Sequence, residues 1–313
     1  MAARPLGIAS FTAIFALSGF MNALQARANG ELTQHLGNGV QAALYSFGSG
    51  LVLLSLAMAF SPSMRAGLRR IPPALREGRL ASWTLPAGAL GGLFIACQSY
   101  AVALVGVALF SVGMVAGQAA SSLAVDRIGL SPIGRTRLTR PRLVAAVLAV
   151  VAVVVAVSGR LGGADLQPVA LVLAFVAGCV VAVQQALNGR VNTATLQPLS
   201  TTWLNFLFGS AILLVMALVG LVALGAQVQS PTSGPWWMWL GGVFGIVFIV
   251  TGAWAVPRYG VLLFALVTIA GQLTAALLLD LVAPVGANTV QWTLVLGVIL
   301  TFLSVGIIAL RNR

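Results

Sequence analysis

Long apolar runs separated by short polar gaps set the pattern of this 313-residue chain. Ten runs can be placed, at roughly 6–27, 38–60, 80–103, 106–126, 142–159, 167–188, 199–224, 235–256, 259–281 and 290–310. They are near or above the ~18–20 residues that cross a bilayer as a helix. Backbone polar groups cannot stay unpaired in lipid, so such runs predict helices. A membrane β-barrel would need segments of about ten residues with strict apolar alternation, and the runs show none. The predicted class is an all-α integral membrane protein with ten transmembrane helices.

The polar residues inside the runs recur. Ala116-Gly117-Gln118 is followed by Asp126, and Ala270-Gly271-Gln272 by Asp280, 154 positions later. At the same offset Trp83, Gly88, Gly91, Phe94, Gly106 and Phe110 match Trp237, Gly242, Gly245, Phe248, Gly260 and Phe264. Earlier in the chain the offset is 159. There Gly19, Gln25, Asn29-Gly30, Phe47 and Gly50 match Gly178, Gln184, Asn188-Gly189, Phe206 and Gly209. Apolar composition alone does not align Gln, Asn-Gly, Trp and Asp in order, so the chain reads as a duplication, residues 1–160 and 161–313. Each copy holds five crossings, an odd number, so the second copy is expected upside down relative to the first.

Charge placement supports that inversion. Arg65, Arg69, Arg70, Arg76 and Arg79 follow the second run, while the matching loop after the seventh carries no arginine. Arg127, Arg135, Arg137, Arg140 and Arg142 follow the fourth, and the matching loop after the ninth again has none. Basic residues favour the cytoplasmic side. With both termini cytoplasmic, only Arg27 and Arg160 face outward.

Composition then narrows the classes. Hydrophobic residues make up 59% and charged residues 7%, against about 25% charged in soluble domains. The net charge of +12 comes from arginines lying between the apolar runs. It therefore reads as topology and lipid-headgroup contact rather than nucleic-acid binding. One His and five scattered carboxylates offer no metal or acid–base cluster, which argues against an enzyme and against any cofactor. Cys97 and Cys179 lie within apolar runs and read as helix-packing residues. Arg4, the run Leu6–Phe20 and Ala26-Arg27-Ala28 have the outline of a signal peptide, but this segment has a counterpart deep in the chain.

Gln25-Ala26-Arg27-Ala28-Asn29-Gly30, Ser46-Phe47-Gly48-Ser49-Gly50, the stretch Pro235 to Gly242 and the stretch Ala270 to Asp280 together resemble the YdcZ-type family of inner-membrane exporters, in the drug/metabolite transporter superfamily. The resemblance covers essentially the whole chain in a fused ten-helix form, and it implies fold and general activity but no substrate. Five-helix members of such families would have to pair. Here one fused chain suffices, and dimerisation is compatible with it. The first copy departs in Gln98, where the second has Gly252, and in its arginine-rich fourth loop.

Inverted repeats place substrate near the bilayer midplane, where exchange of the two halves opens it to alternate sides. The substrate-binding candidates are Gln118, Gln272, Gln25, Gln184, Tyr100 and Trp254. For Gln118 and Gln272 the alternative is a helix–helix hydrogen bond. Asn29-Gly30 and Asn188-Gly189 are expected to close their helices as left-handed caps. Asp126 and Asp280 fall at helix C-termini, where the macrodipole disfavours an anion. They are candidates for gating or proton coupling, or for pairing with an arginine such as Arg127. Gly88-x-x-x-Gly92 and Gly241-x-x-x-Gly245 read as close-packing motifs, and Trp236, Trp237 and Trp239 as an interfacial belt. No carboxylate lies mid-helix, so the expected cargo is a small neutral or zwitterionic metabolite or drug-like molecule. The expected activity is alternating-access export across a bacterial inner membrane, with membrane lipid as surroundings and a proton as candidate coupling ion. A lipid-linked flippase and a non-transporting scaffold or sensor are the rival readings.

Overall fold

The computed structural model describes residues 8–135, 139–158, 168–223, 225–229, 234–282 and 292–311. Apart from short 3-10 turns at Ser82–Thr84 and Trp236–Leu240, the regular structure there is α-helical. The helices are α1 (Ile8–Leu36), α2 (Gly39–Phe60), α3 (Pro62–Arg69), α4 (Ile71–Arg76), α5 (Ala87–Val105), α6 (Val107–Ile128), α7 (Arg140–Ser158), α8 (Pro168–Thr195), α9 (Pro198–Ala223), α10 (Gly241–Val282) and α11 (Trp292–Arg311).

Six helical stretches among the described residues are long and apolar enough to cross a membrane: 39–60, 82–105, 107–128, 168–195, 198–223 and 236–259. Shorter apolar stretches lie at Leu143–Ala156, Val267–Leu279 and Val295–Ser304. Residues 230–233 and the loop after the ninth run, with Arg137 and Arg160, lie outside the described residues.

Helix ends follow local chemistry. Asn38 caps α2, its side-chain oxygen accepting from the Val40 and Gln41 amides at 3.1 Å. Ser61 caps α3, with Pro62 in the first turn. That Ser-Pro signal starts α3, and Ile71-Pro72 starts α4 without a side-chain cap, both inside the arginine-rich loop where the apolar pattern alone shows only a gap. Met64 of α3 is buried, and its carbonyl accepts from Ser200 Oγ of α9 at 2.7 Å. Gly106 breaks the chain between α5 and α6 with φ +82°, a conformation that glycine adopts freely.

Two expectations are corrected. Asn29-Gly30 and Asn188-Gly189 do not end their helices. α1 runs on to Leu36, before Gly37 at φ +62°, and α8 to Thr195, before Leu196 at φ +53°. The two glycines serve packing instead: Gly30 faces Val102, and Gly189 faces Val256 and Pro132. Asn29 and Asn188 stay inside the helix, buried. The second correction concerns the eighth and ninth runs, which form one helical stretch of 42 residues, α10, containing Pro257. Straight, it would measure about 63 Å, twice the bilayer core. It is folded back on itself. Gly241 lies against Asn29, Gly245 against Gln25 and Trp254 against Phe15, so its first part runs antiparallel to α1. Phe264 again meets Phe15, at 5.4 Å between centroids, and Gln272 bonds Asn22, so its second part runs back along α1. Pro257 removes one backbone donor near the bend, and the Arg258 guanidinium donates to the Trp254 carbonyl at 2.6 Å.

Glycine contacts recur at the sequence offsets. Gly19 abuts the backbone of Thr268 and Gln272, and Gly178 that of Met114 and Gln118. Gly271 abuts Ala16, and Gly117 abuts Phe175. Without a Cβ, each pair of backbones approaches closely, which is how apolar helices gain van der Waals contact in lipid. α1 thus packs on α10 as α8 packs on α6.

Candidate functional site

Polar side chains form stripes on the inner faces of α1 and α8. On α1 they are Ser18, Asn22, Gln25, Asn29 and Thr33, and on α8 Gln184, Asn188 and Asn192, all buried. Steps of three and four residues keep them on one helical face. Amides are costly against lipid, so these faces turn to protein.

On α8 and α9 the stripe is linked. Gln184 Nε2 donates to Asn205 Oδ1 at 3.3 Å, and Asn205 Nδ2 donates to Asn188 Oδ1 at 3.1 Å. Further along, Thr201 Oγ1 donates to Asn192 Oδ1 at 3.4 Å and lies 2.9 Å from Thr195 Oγ1. The α1–α2 side lacks such a chain, because Ser46 stands where the other copy has Asn205. A hydroxyl is too short to bridge, and Asn29 and Ser46 side-chain atoms have no hydrogen-bond partner.

Between these stripes lies a small cavity lined by Gln25, Phe47, Gly91, Phe94, Ile95, Gln184, Phe206, Gly245, Phe248 and Ile249. Its volume is about 10 Å³, roughly the room one water needs. The lining is five matched pairs under the sequence offsets: Gln25 with Gln184, Phe47 with Phe206, Gly91 with Gly245, Phe94 with Phe248, and Ile95 with Ile249. Gly91 leaves room for the Gln184 amide, and Gly245 for that of Gln25. A larger, mostly apolar cavity of about 610 Å³ lies away from this cluster, between the start of α2 and the end of α9, beneath residues 226–228. Its apolar walls suit acyl chains better than a polar solute.

The sequence candidates divide. Gln25 and Gln184 line the small cavity, whereas Gln118 and Gln272 do not, though both are buried. Gln272 ties helices together: its Oε1 accepts from Asn22 Nδ2 at 3.1 Å, and its Nε2 lies 3.3 Å from Ser111 Oγ. That is the helix–helix alternative of the sequence reading. Tyr100 is 47% exposed and lies outside the cavity lining. Trp254 packs edge-on to Phe15, with the Arg258 guanidinium 5.0 Å over its ring, and does not line the cavity either. Asp126 is buried in the last turn of α6. Arg190 holds the end of that helix, donating to the Gly129 and Leu130 carbonyls at 2.7 and 2.6 Å. The Asp280 side chain lies outside the described residues. No group of three potential metal ligands occurs among the described residues.

The sequence reading missed the Asn188–Asn205 link, although the four-residue spacing of Gln184, Asn188 and Asn192 could have signalled it. It also missed an ion pair on α1, Arg27 to Glu31 at 3.2 Å, with Trp237 beneath the guanidinium at 5.3 Å. Trp236 and Trp239 are exposed, as a belt requires, while Trp237 is spent on this contact.

The family described as "Putative inner membrane exporter, YdcZ" matches this chain in two segments, residues 10–155 and 169–308, together well over half its length. Among curated proteins, none matches by sequence. A crystal structure described only as that of a protein has the same fold, with a TM-score of 0.61 at 19% identity over 98% of this chain and 99% of the other.

Proposed function

The chain belongs to the YdcZ-type family of inner-membrane exporters of the drug/metabolite transporter kind, and from that premise we propose that it moves a small neutral or zwitterionic molecule outward by alternating access. One observation carries the reading: the central cavity is built from matched residues of the two copies, five from each. A site shared between equivalent halves keeps its lining when the halves exchange roles. The recurrent glycine contacts and the opposed arginine loops support two inverted five-helix repeats, 1–160 and 161–313. The fold-back of α10 supports ten crossings with both termini cytoplasmic.

The lining supplies two carboxamides and no carboxylate. An amide donates and accepts, so it holds a polar neutral group without burying a charge. Room for one water means that the halves must part before cargo enters. Asp126 and Asp280 are the proposed proton-sensing groups, standing eight residues beyond Gln118 and Gln272. Monomeric protein suffices for this site.

The test is transport by purified protein in liposomes, over a panel of small neutral and zwitterionic compounds, with and without a pH gradient. Gln25→Ala and Gln184→Ala are expected to slow transport, and Asp126→Asn and Asp280→Asn to flatten its pH profile. The reading fails if nothing crosses faster than in empty liposomes, or if both glutamine variants keep the wild-type rate. The lateral apolar cavity between α2 and α9 favours, as a second reading, a lipid-linked cargo. Flipping of a fluorescent lipid in the same liposomes would select it.

A further inference from the structure

Two other glutamines stand out by what they lack. Gln98 on α5 and Gln185 on α8 are fully buried, at 0% exposure. Neither the amide nitrogen nor the amide oxygen of either one has a hydrogen-bond partner. Neither lines the central cavity, but both stand one turn from residues that do. Gln98 lies one turn beyond Phe94 and Ile95 on α5, and the Gln185 amide packs on Gly252, one turn beyond Phe248 and Ile249 on α10.

The repeat gives the pair a common logic. The counterpart of Gln98 is Gly252, and the counterpart of Gln185 is Ala26. The Gln185 amide occupies the space that a side chain at Gly252 would fill. The corresponding positions in the first copy are Ala26 and Gln98. Each copy therefore carries one carboxamide at this two-helix junction, delivered by α5 in one and by α8 in the other. Gly252 and buried Ala26 show that the junction packs with no amide at those positions. The amide stands on a different helix in each copy, and in both it is unpaired.

We propose that Gln98 and Gln185 form a second pair of ligand-binding amides flanking the central cavity, which take an uncharged group able to donate and accept, such as a carboxamide or ureide. This rests on the transport reading above and extends its site by one helical turn on either side. A carboxamide ligand pairs reciprocally with a glutamine, donor to acceptor and acceptor to donor. A charged ligand would have no counter-ion there, since neither a carboxylate nor a basic side chain lines the cavity.

Two measurements test it, and neither needs a known substrate. The first compares melting of Gln98→Met and Gln185→Met with wild type in detergent, without ligand. Both variants are expected to melt higher, because an unpaired buried amide is replaced by an apolar chain of similar length. The second uses iodoacetamide, a neutral thiol reagent that carries a carboxamide. Gln98→Cys and Gln185→Cys, each in a Cys97→Ala/Cys179→Ala background, are expected to react at least about tenfold faster than Ala108→Cys, which is equally buried in α6. Melting below wild type for both Met variants would show that the amides are structural. Cysteines at 98 and 185 as inert as that at 108 would show that the junction never opens. Either result overturns the proposal. A liposome screen in which nothing is transported would fail the transport reading but leave both measurements standing.

Discussion

Phe47 and Phe206 lie nearly face to face, their ring centroids 4.7 Å apart and their planes 26° from parallel. Each ring also fills the space beside a glycine of the other's helix, Phe206 at Gly50 and Phe47 at Gly209. α2 and α9 are thus joined by a reciprocal contact at the wall of the central cavity. Both rings line that cavity, which has room for about one water.

Gly50→Ala and Gly209→Ala should destabilise the protein to a similar degree, by about 1–3 kcal/mol each, the usual cost of overpacking a filled site. Melting in detergent reads this directly. A drop for one variant and none for the other would show that the two contacts are not equivalent.

Gly117→Ala and Gly271→Ala should cost more, because the added methyl group meets backbone, at Phe175 and Ala16, rather than a side chain that can rotate. Gly48→Ala is the control, since no atom lies within 4 Å of a Cβ there. The expected order of melting temperatures is Gly48→Ala near wild type and the other two well below it. Equal melting of all three would remove close helix packing as the role of these glycines.

Gln272→Ala should lower the melting temperature more than Gln118→Ala. The first leaves Asn22 Nδ2 without its acceptor, a loss of ~1–3 kcal/mol by the cost of an orphaned donor, or nearer ~0.6 kcal/mol by the average for membrane interiors. No comparable link is seen for Gln118 among the described residues. The reverse order would place the structural role on Gln118 instead.

Single cysteines at Ser63 and Gln227, both exposed, should react with an impermeant thiol reagent from opposite sides of the membrane, once Cys97 and Cys179 are replaced by alanine. Ser63 should react from the cytoplasm and Gln227 from outside. Labelling of both from one side would contradict the inverted topology.

The helical runs and the paired glycines are legible in the sequence because bilayer thickness and close packing each leave a periodic trace. The repeat singles out Gln25 and Gln184, and both line the small cavity. What failed failed for identifiable reasons. Asn29-Gly30 and Asn188-Gly189 carry a cap signal that holds for helix ends in water. Inside a bundle, the same glycines relieve crowding at Val102 and Val256, and the helix continues. Tyr100 and Trp254 are candidates for cargo contact by equivalence alone; they stand outside the small cavity, since equivalence does not say which way a side chain points. The partners of Gln272 lie 250 and 161 positions away, a separation that helical periodicity does not encode. The relation between Gln98 and Gln185 is hidden from position-by-position matching, because their counterparts at the repeat offsets are Gly252 and Ala26.

Gly106 and Pro257 bring a last consequence. The first copy turns at a glycine with φ +82°, and the second bends within an unbroken helix that contains a proline. A transporter with two identical inverted halves would have inward- and outward-facing forms of equal energy, and its empty state would favour neither. Unequal joints lift that degeneracy. A difference of only ~1.4 kcal/mol in the work of flexing them sets a tenfold preference between the two forms. If the halves exchange as proposed, the side on which the empty protein waits is decided at these joints.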